Sequence, residues 1–307
     1  MIKLLLGGSP CTKWSIAQKN RETQCEGEGW ELFKNYLIAK EIFKPDYFLY
    51  ENNSSASMEI KEEIEKLLGY KRYNVNSNLF SAQSRARFYI TNIPNVEIPK
   101  EQSPLYVKDI IEKYDGEFID KEIKYKDKIK QGKTGMICLG YINNSNSQGN
   151  RVYSIEGKSC TMCANSGGLG ARTGLYLIDG KIRKLTINEA RKLQTIPDWV
   201  KMPISENQSY QQLGNGWTIE VIKNFLKNIP NIENEEILVL SMYDGMGGGF
   251  ISLKELGANI KEYISVEIDK YCNMTLDANI PNRTAFLDAF DVRDKDSELY
   301  NYLMSQD

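Results

Sequence analysis

The sequence predicts an α/β fold in which a parallel β-sheet is covered by helices. Short apolar runs that end in glycine or polar residues alternate along the chain with segments of helical periodicity. Towards the C-terminus, an apolar run at 237–242 is followed by a glycine-rich turn at 244–249, a helix and a further apolar run. Strand, turn, helix and strand form a βαβ unit, which places both strands parallel in one sheet.

The first third of the chain shows the same alternation. It predicts, in order, a strand at 3–6, a helix at 29–43, a strand at 47–50, a helix at 58–68 and a strand at 88–91. The first strand ends at Gly7-Gly8 and the second at Glu51. Because ligands bind outside the carboxyl ends of strands in open α/β sheets, we expect the residues after these strands to share one cleft.

The middle of the chain differs in composition. Residues 95–180 are rich in Lys, Asn, Ser and Gly and have no long helical pattern, so we expect a smaller, mostly irregular or β domain there. Regular patterns resume with helices at 187–194 and 219–226, a polar linker at 231–236, a strand at 237–242, a helix at 250–256 and a strand at 263–268. These changes predict four segments, at 1–94, 95–182, 183–230 and 231–307.

Charge is unevenly distributed along the chain. Residues 120–192 contain 14 Lys and Arg against 6 Asp and Glu, a net charge of +8, whereas residues 233–307 contain 6 against 15, a net charge of -9. A basic segment beside an acidic one is typical of a polyanion-binding region joined to a separate lobe. Solvated lysine faces would give the same composition, so both interpretations stay open.

Composition also excludes several kinds of chemistry. The chain has no histidine, which removes catalysis by an imidazole base and the commonest metal ligand. Its six cysteines form no disulfide framework, and Cys160 and Cys163 make a single CxxC without a second pair, so we expect no metal site. No apolar run is long enough for a membrane span, and we expect a soluble, cytoplasmic protein.

The glycine-rich turn is a candidate nucleotide site. A strand that opens through glycines into a helix presents free backbone N–H groups, and Glu267 follows Gly245 by 22 residues. An acid at about that distance typically binds ribose hydroxyls. Phe250 stands where the third glycine of the dinucleotide fingerprint would be, which disfavours NAD and FAD. We therefore favour another nucleoside-containing cofactor, with a purely structural turn as the alternative.

A second candidate site lies after the N-terminal strand. Cys11 follows that strand, Glu51 ends the next one, and Arg85 and Arg87 precede the third. A thiolate is a strong nucleophile, and a carboxyl and a guanidinium can stabilise the charge that a pyrimidine ring takes up when a thiolate adds to it. The set therefore predicts conjugate addition to a pyrimidine. Taken singly, Cys11 would be a small buried residue and the arginines a solvated strand end.

Together these segments resemble the motifs of the DNA cytosine-5 methyltransferase family across most of the chain. Gly8-Ser9-Pro10-Cys11 resembles its nucleophile loop and Glu51-Asn52 its Glu-Asn motif, although Asn53 replaces the usual valine. The other matching segments are 83–87, 183–197, 214–217, 243–245, Glu267 and 291–293. Tyr243-Asp244-Gly245, with a Trp after the Gly-Asn motif, looks closest to phage-type and animal de novo enzymes.

The order of the motifs departs from that family. The cofactor motifs usually come first, whereas here they follow Leu240. The resemblance therefore implies a Rossmann-like, S-adenosylmethionine-dependent methyltransferase sheet that is circularly permuted between the third and fourth motifs. It also implies that 1–94, 183–230 and 231–307 form the methyltransferase domain, the last of them binding the cofactor. Residues 95–182 would be a target-recognition domain, in which Lys158 and Arg172 contact phosphates.

The resemblance implies a role for each candidate residue. Cys11 would add to carbon 6 of a flipped cytosine, and Glu51 would contact the ring nitrogen and amino group. Arg87, together with Arg85, would steady the base and the loop. The residues implied to surround the cofactor S-adenosylmethionine are Tyr243, Asp244, Gly245, Gly247, Glu267, Ile268, Asp291, Val292, Asn215 and Trp217.

The implied partner is double-stranded DNA, bound by a monomer without metal or membrane, in a bacterial or phage-infected cell. Restriction–modification and phage self-protection are both compatible roles. An RNA cytosine methyltransferase and a non-catalytic DNA-binding homologue are the alternatives. The separate middle domain favours DNA over RNA, and the presence of Cys11, Glu51, Arg87 and Glu267 argues for catalysis.

Overall fold

The computed structural model describes residues 1–16, 20–114, 116–164 and 168–306, and it describes Cys11 without its side chain. The chain divides into two compact units. The first comprises Met1–Val75, Ala86–Ile98 and Ile222–Asp307, and the second comprises Asn76–Arg85 and Pro99–Val221.

Twelve strands and eight helices are named below in chain order within the described ranges. They are β1 (Ile2–Gly7), α1 (Gly27–Phe43), β2 (Tyr47–Asn53), α2 (Met58–Leu68), β3 (Tyr73–Asn76), β4 (Ala86–Thr91), β5 (Lys124–Tyr125), β6 (Cys138–Tyr141), β7 (Arg151–Ser154), β8 (Leu175–Ile178), β9 (Lys181–Arg183), α3 (Ile187–Leu193), α4 (Glu206–Asn215), α5 (Ile219–Leu226), β10 (Ile237–Met242), α6 (Gly248–Glu255), β11 (Ile260–Val266), α7 (Lys270–Asn279), β12 (Thr284–Phe286) and α8 (Glu298–Met304).

The first unit is built on a seven-stranded sheet with the spatial order β12-β11-β10-β1-β2-β4-β3. β1 lies in the middle and pairs in parallel with β10 and β2, while β4 is antiparallel to β2. β10, β11 and β12 are also parallel to one another. Counted from β10, the five parallel strands have the 3-2-1-4-5 order of a doubly wound nucleotide-binding sheet. The predicted α/β fold with a parallel sheet is therefore confirmed.

The sequence patterns of these elements follow from what covers them. Residues 4–6 of β1 and every residue of β10 are buried, as expected for central strands covered on both faces. α2 is amphipathic instead, because only Ile60, Ile64 and Leu68 face the core, at i, i+4 spacing. The carboxyl ends of β1, β2, β10 and β11 therefore open on one edge of a sheet whose interior is fixed by apolar packing.

The second unit contains a five-stranded sheet with the order β5-β6-β7-β8-β9. Its strands are antiparallel except for the parallel pair β7 and β8. The unit continues past the predicted boundary at residue 182 into α3 and α4. The buried guanidinium of Arg183 donates two hydrogen bonds of 2.7 Å to the Glu189 carboxylate of α3, which ties the helix to β9. The assignment of 95–182 as a recognition domain stays a prediction.

Several elements differ from the sequence prediction. α6 begins at Gly248 rather than at 250, and β11 ends at Val266, so that Glu267 follows the strand instead of lying within it. β3, α4, α7, β12 and α8 have no predicted counterpart, because they are short or mostly polar. Within the described ranges, no helix is long and apolar enough to cross a membrane.

Candidate active site

A glycine lets the loop after β1 pass directly over β2. β1 ends at Gly7, and a 3₁₀ helix begins at Cys11. A Cβ atom on Gly8 would lie 2.4 Å from the carbonyl oxygen of Glu51 and 3.1 Å from its Oε2 atom. Only glycine permits this approach, so the loop leading to Cys11 is packed against Glu51. The side chain of Cys11 lies outside the described part of the structure.

Buried hydrogen bonds fix the same loop to β2. The Asn52 side-chain amide donates to the Ser9 carbonyl oxygen (2.9 Å) and to the Tyr50 hydroxyl (3.0 Å), and the Ser9 and Tyr50 hydroxyls are 2.8 Å apart. Burial raises the pKa of Tyr50, so its hydroxyl stays neutral and can donate. Because all three side chains are buried, this network holds the loop backbone in one position.

Glu51 and Arg87 meet on adjacent strands. Glu51 lies opposite Tyr89 and Arg87 lies opposite Asn53, so the two charged residues are diagonal neighbours on β2 and β4. The Nε atom of Arg87 is 3.1 Å from Oε1 of Glu51, and the two side chains are only 11% and 13% exposed. Two of the residues predicted to share a cleft therefore form a largely buried ion pair beside the Gly8 loop.

Arg85 belongs to the second unit and is engaged differently. Its guanidinium donates to the carbonyl oxygens of Met162 (3.1 Å), Gly214 (2.8 Å) and Gly216 (3.1 Å). The side chain is 4% exposed. Within its own unit, Arg85 therefore holds backbone segments together.

Asn215 and Trp217 also lie in the second unit, at the end of α4. Asn215 is exposed and Trp217 is partly buried. The segment is anchored by Gly214, where an added Cβ would lie 2.4 Å from the Ala164 nitrogen, and by Gln194, whose amide donates to the Leu213 carbonyl at 2.7 Å. The cofactor contacts predicted for Asn215 and Trp217 stay predictions.

The glycine-rich turn after β10 needs backbone conformations that favour glycine. Positive φ angles occur at three residues of the turn: Tyr243 (58°), Gly245 (60°) and Gly247 (83°). The N–H of Gly247, just before α6, donates to the Asp244 carbonyl at 3.0 Å. The Asp244 side chain, at the start of the turn, is buried. The hydroxyls of Ser241, Tyr263 and Ser265 each donate to it at 2.7 Å, although burial raises its pKa. These three hydrogen bonds tie Asp244, and with it the start of the turn, to β10 and β11.

Glu267 faces this turn from the end of β11. Its Oε2 atom accepts the Gly245 N–H at 2.7 Å, and its Oε1 atom accepts the Asp269 N–H at 2.8 Å. Burial raises the pKa of Glu267 to about 7 despite these two donors. Each oxygen has a further lone pair, so the carboxyl can still accept hydrogen bonds from a ligand.

Large apolar side chains are exposed on the same edge of the sheet. Ile268, which follows Glu267, is 71% exposed, Leu287, which follows β12, is 63% exposed, and Phe290 is 40% exposed. Asp291 lies in the adjoining 3₁₀ helix, Ala289–Arg293, whose Val292 is fully buried. An apolar surface beside carboxyl groups is suited to one face of a nucleoside.

Two features went unrecognised or were misread in the sequence. The buried Ser9–Tyr50–Asn52 network gave no signal beyond the Glu-Asn motif, because its members come together only when β1 and β2 pair. The predicted phosphate contact of Lys158 is wrong, because its side chain is fully buried and its ammonium donates to the carbonyls of Ser81, Ser103 and Leu105. Arg172 donates to the Asn207 carbonyl at 2.9 Å, and its phosphate contact stays a prediction.

A doubly wound parallel sheet with a glycine-rich turn after β10, and with the Glu267 carboxyl at the end of the next strand, is typical of proteins that bind a nucleoside-containing ligand. A model of the C-5 cytosine-specific DNA methylase family matches residues 1–231. The chain therefore belongs to that family. It is a DNA cytosine-5 methyltransferase, which uses S-adenosylmethionine as its methyl donor.

Individual proteins show the same likeness. The Type II methyltransferase M.HhaI of Haemophilus parahaemolyticus is 29% identical over 253 residues, which are 75% of this chain and 76% of that protein. The orphan methyltransferase M.Rho11sI of Bacillus phage rho11s is 25% identical over 243 residues, 58% of this chain and 48% of that protein. The solved Entamoeba histolytica methyltransferase EhMeth is 12% identical with a TM-score of 0.49, over 73% of this chain and 76% of that one.

Metal ligands are not clustered in the part of the chain that the structure describes. There, no group of three or more Cys, Asp or Glu side chains is arranged to hold a metal ion. The residues gathered at the sheet edge are instead an ion pair, hydrogen-bonded hydroxyls and a protonatable carboxyl.

Proposed function

We propose that Cys11 is the nucleophile with which this methyltransferase attacks cytosine. The observation that carries the proposal is the close approach of Gly8 to Glu51, which packs the loop leading to Cys11 against the carboxyl that pairs with Arg87. These two contacts support a site in which the loop at Cys11, the Glu51 carboxyl and the Arg87 guanidinium act together.

The residues of this chain support a covalent addition. The Cys11 thiolate forms a bond from sulfur to carbon 6, and the electron pair of the C5–C6 double bond moves towards carbon 5 and the ring nitrogen. Glu51 contacts that nitrogen and the amino group of the base, and Arg87 orients Glu51. After methyl transfer, the carbon 5 proton leaves to water, the double bond re-forms, and the sulfur–carbon bond breaks to return the electron pair to Cys11.

We propose a set of cofactor-binding residues because the groups at this edge of the sheet fit a nucleoside. When bound, S-adenosylmethionine supplies an electrophilic methyl group. Glu267 would accept the ribose hydroxyls, while Tyr243, Gly245 and Gly247 form the turn that admits the ligand and Asp244 supports it. The other proposed cofactor contacts are Ile268, Asp291, Val292, Asn215 and Trp217.

The order of these segments supports a circular permutation. The family match ends at residue 231, and the glycine turn and Glu267 come after it. Counted from β10, the five parallel strands have the 3-2-1-4-5 order of a doubly wound nucleotide-binding sheet, although β10 comes late in the chain and β1 comes first. We propose that 95–182 recognises the target, that double-stranded DNA is bound by a monomer, and that the enzyme works in the cytoplasm of a bacterial or phage-infected cell.

Trapping the adduct tests the proposed nucleophile. We expect the wild-type enzyme with S-adenosylmethionine to form a denaturant-resistant complex with duplex DNA that carries 5-fluorocytosine. Fluorine replaces the hydrogen on carbon 5 and cannot leave as a cation after methyl transfer, so the double bond does not re-form and sulfur stays bound to carbon 6. Cys11→Ser should form no complex, whereas Cys25→Ser, a free cysteine of the same unit, should behave as wild type. An adduct that survives in Cys11→Ser would refute the assignment.

A further inference from the structure

An exposed segment of the second unit carries a high density of positive charge. We call residues 121–133 the lysine ridge: it has six lysines and two acidic residues, a net charge of +4. Every one of its lysines is exposed. These are Lys121, Lys124, Lys126, Lys128, Lys130 and Lys133. We propose that the lysine ridge binds the phosphate backbone of duplex DNA and supplies affinity that is independent of sequence. The proposal rests on DNA being the substrate.

The backbone of the ridge projects its central residues away from the sheet. Residues 124 and 125 of the ridge form β5, the edge strand, and the N–H of Lys126 still donates to the Leu139 carbonyl at 2.9 Å. The next pairing joins Gln131 to Ile137. Five steps along the ridge therefore correspond to two along its partner, and residues 127–130 leave the ladder as a bulge. Their side chains are free to meet a ligand that approaches the edge.

The charges of the ridge are not neutralised locally. In the ranges that the structure describes, none of the six ridge ammonium groups pairs with a carboxylate. Lysines elsewhere in the same unit do pair: Lys108 with Glu156 and Lys192 with Glu112, both at 2.6 Å. The ridge thus keeps its full charge for an external anion.

Duplex DNA fits this surface better than a small anion does. Lys124, Lys126, Lys128 and Lys130 recur at every second residue, so four exposed ammonium groups lie within a segment of seven residues. DNA presents one negative charge for about every 1.7 Å of its axis, so a row of flexible lysines finds several phosphates at once. A small anion would engage one or two of them.

Edge lysines can also serve to prevent sheets from pairing edge to edge. That role predicts self-association when the lysines are removed, with no change in DNA binding. Phosphate binding predicts a change in how affinity depends on salt, because each lost phosphate contact lowers the slope of log K against log salt by about 0.9. The two roles therefore give opposite results in one titration.

The experiment measures binding of a fluorescent duplex of mixed sequence at several salt concentrations between about 50 and 200 mM. For Lys124→Gln/Lys126→Gln/Lys128→Gln/Lys130→Gln we expect the slope to fall by about 3 to 4 and the affinity at the lowest salt to fall at least tenfold. Lys128→Gln/Lys130→Gln, which lies in the bulge and cannot disturb the sheet, should lower the slope by about 2. The corresponding four-arginine variant should keep the wild-type slope.

A charge-matched control separates the ridge from net charge. Lys66, Lys227, Lys261 and Lys295 are exposed lysines of the first unit, and their joint change to Gln should leave the slope within about one contact of wild type. Equal slopes for the ridge variant and wild type, or for the ridge variant and this control, would overturn the proposal. Failure of the wild type to bind any duplex would instead contradict DNA as the substrate.

Discussion

Glu267 is a carboxyl whose charge state is decided by burial. Its ordinary pKa is 4.5, and desolvation raises it to about 7 although two backbone N–H groups favour the ionised form. Because the pKa in the folded protein is the higher one, the contribution of Glu267 to stability is present below pH 4.5 and is lost as the pH rises through about 7. The affinity of Glu267 for a hydroxyl-bearing ligand should instead rise with pH, because the carboxyl is ionised at higher pH.

We predict that affinity for S-adenosylmethionine rises between pH 6 and pH 8. An ionised carboxylate accepts hydroxyl hydrogen bonds more strongly than a neutral acid, and the ionised fraction of a group with a pKa of about 7 rises about tenfold over this range. Calorimetric titration of wild type and Glu267→Gln provides the check. Glu267→Gln should bind more weakly with a flatter pH profile, and identical profiles would contradict the assignment.

The two arginines of the segment 83–87 show which side-chain contacts cannot be predicted from the sequence. Arg87, at the start of β4, pairs with Glu51, near the end of the antiparallel strand β2. Arg85 is only two positions away but bonds to the carbonyls of Met162, Gly214 and Gly216. Those partners are 77 to 131 positions distant along the chain, and no local pattern encodes them.

Helix α1 contacts both parts of the candidate site, which are the loop at Cys11 and the segments around Tyr243 and Asp291. Near its start, Glu28 pairs with Lys13 of the 3₁₀ helix after Cys11, at 2.7 Å. Further along, the Leu32 carbonyl accepts the Tyr243 hydroxyl at 2.6 Å. Arg293 donates to the Glu31 carboxylate (2.9 Å) and to Asn35 (2.5 Å), which docks the 3₁₀ helix Ala289–Arg293. One helix therefore contacts both the loop at Cys11 and the segments that we propose bind the cofactor.

We predict that Arg293→Met weakens S-adenosylmethionine binding about fivefold or more, as expected for losing about 1 kcal/mol of partly exposed charge-assisted hydrogen bonds. Without these bonds, the 3₁₀ helix that contains Phe290 and Asp291 would no longer be fixed to α1. Lys34 also pairs with Glu31, at 2.6 Å, so Lys34→Met is the matched control that spares the 3₁₀ helix. Equilibrium dialysis with labelled cofactor measures both variants, and equal losses in the two would contradict a positioning role for Arg293.

Elements were predictable where one face or both faces are apolar. The bounds of α2 and β10 agree with the prediction, because a clear i, i+4 stripe defines the first and a continuous apolar run the second. α4 was not predictable, since its sequence ENQSYQQLGN is largely polar and it is fixed by tertiary bonds such as that of Arg85 to Gly214. β12 has three residues, too few for any periodicity.

At the scale of the whole molecule, the sheet depends on adjacency in space rather than on order along the chain. β10 lies beside β1, and the Met1 amino group is 3.9 Å from the Glu235 carboxylate in the polar segment before β10. That segment is exposed except for Ile232. The peptide link through this segment therefore adds little to the stability of the sheet, because the strand pairings already hold β10 beside β1.

We predict that a rearranged chain folds and remains active. The chain would begin at Glu235, join its present ends by a Gly/Ser linker, and end at Glu233. Its melting temperature should stay within about 4 °C of wild type, the shift that roughly 1 kcal/mol produces in a chain of this size, because every strand pairing is retained. A matched variant opened inside β10, between Val239 and Leu240, should not fold. Methyl transfer and thermal unfolding report both, and an unfolded linker variant would contradict the permutation.

The central place of β1 has a consequence for synthesis on the ribosome. Ile2 pairs with Ile237, so the apolar edge of β1 emerges long before the strand that covers it. At about 5 to 20 residues per second, that interval is roughly 12 to 47 s. During this time the nascent chain carries an open, leucine-rich edge, which is where aggregation or chaperone capture would begin. If residues 231–307 preceded residues 1–230, about 72 positions would separate Ile237 from Ile2, and the interval would be correspondingly shorter.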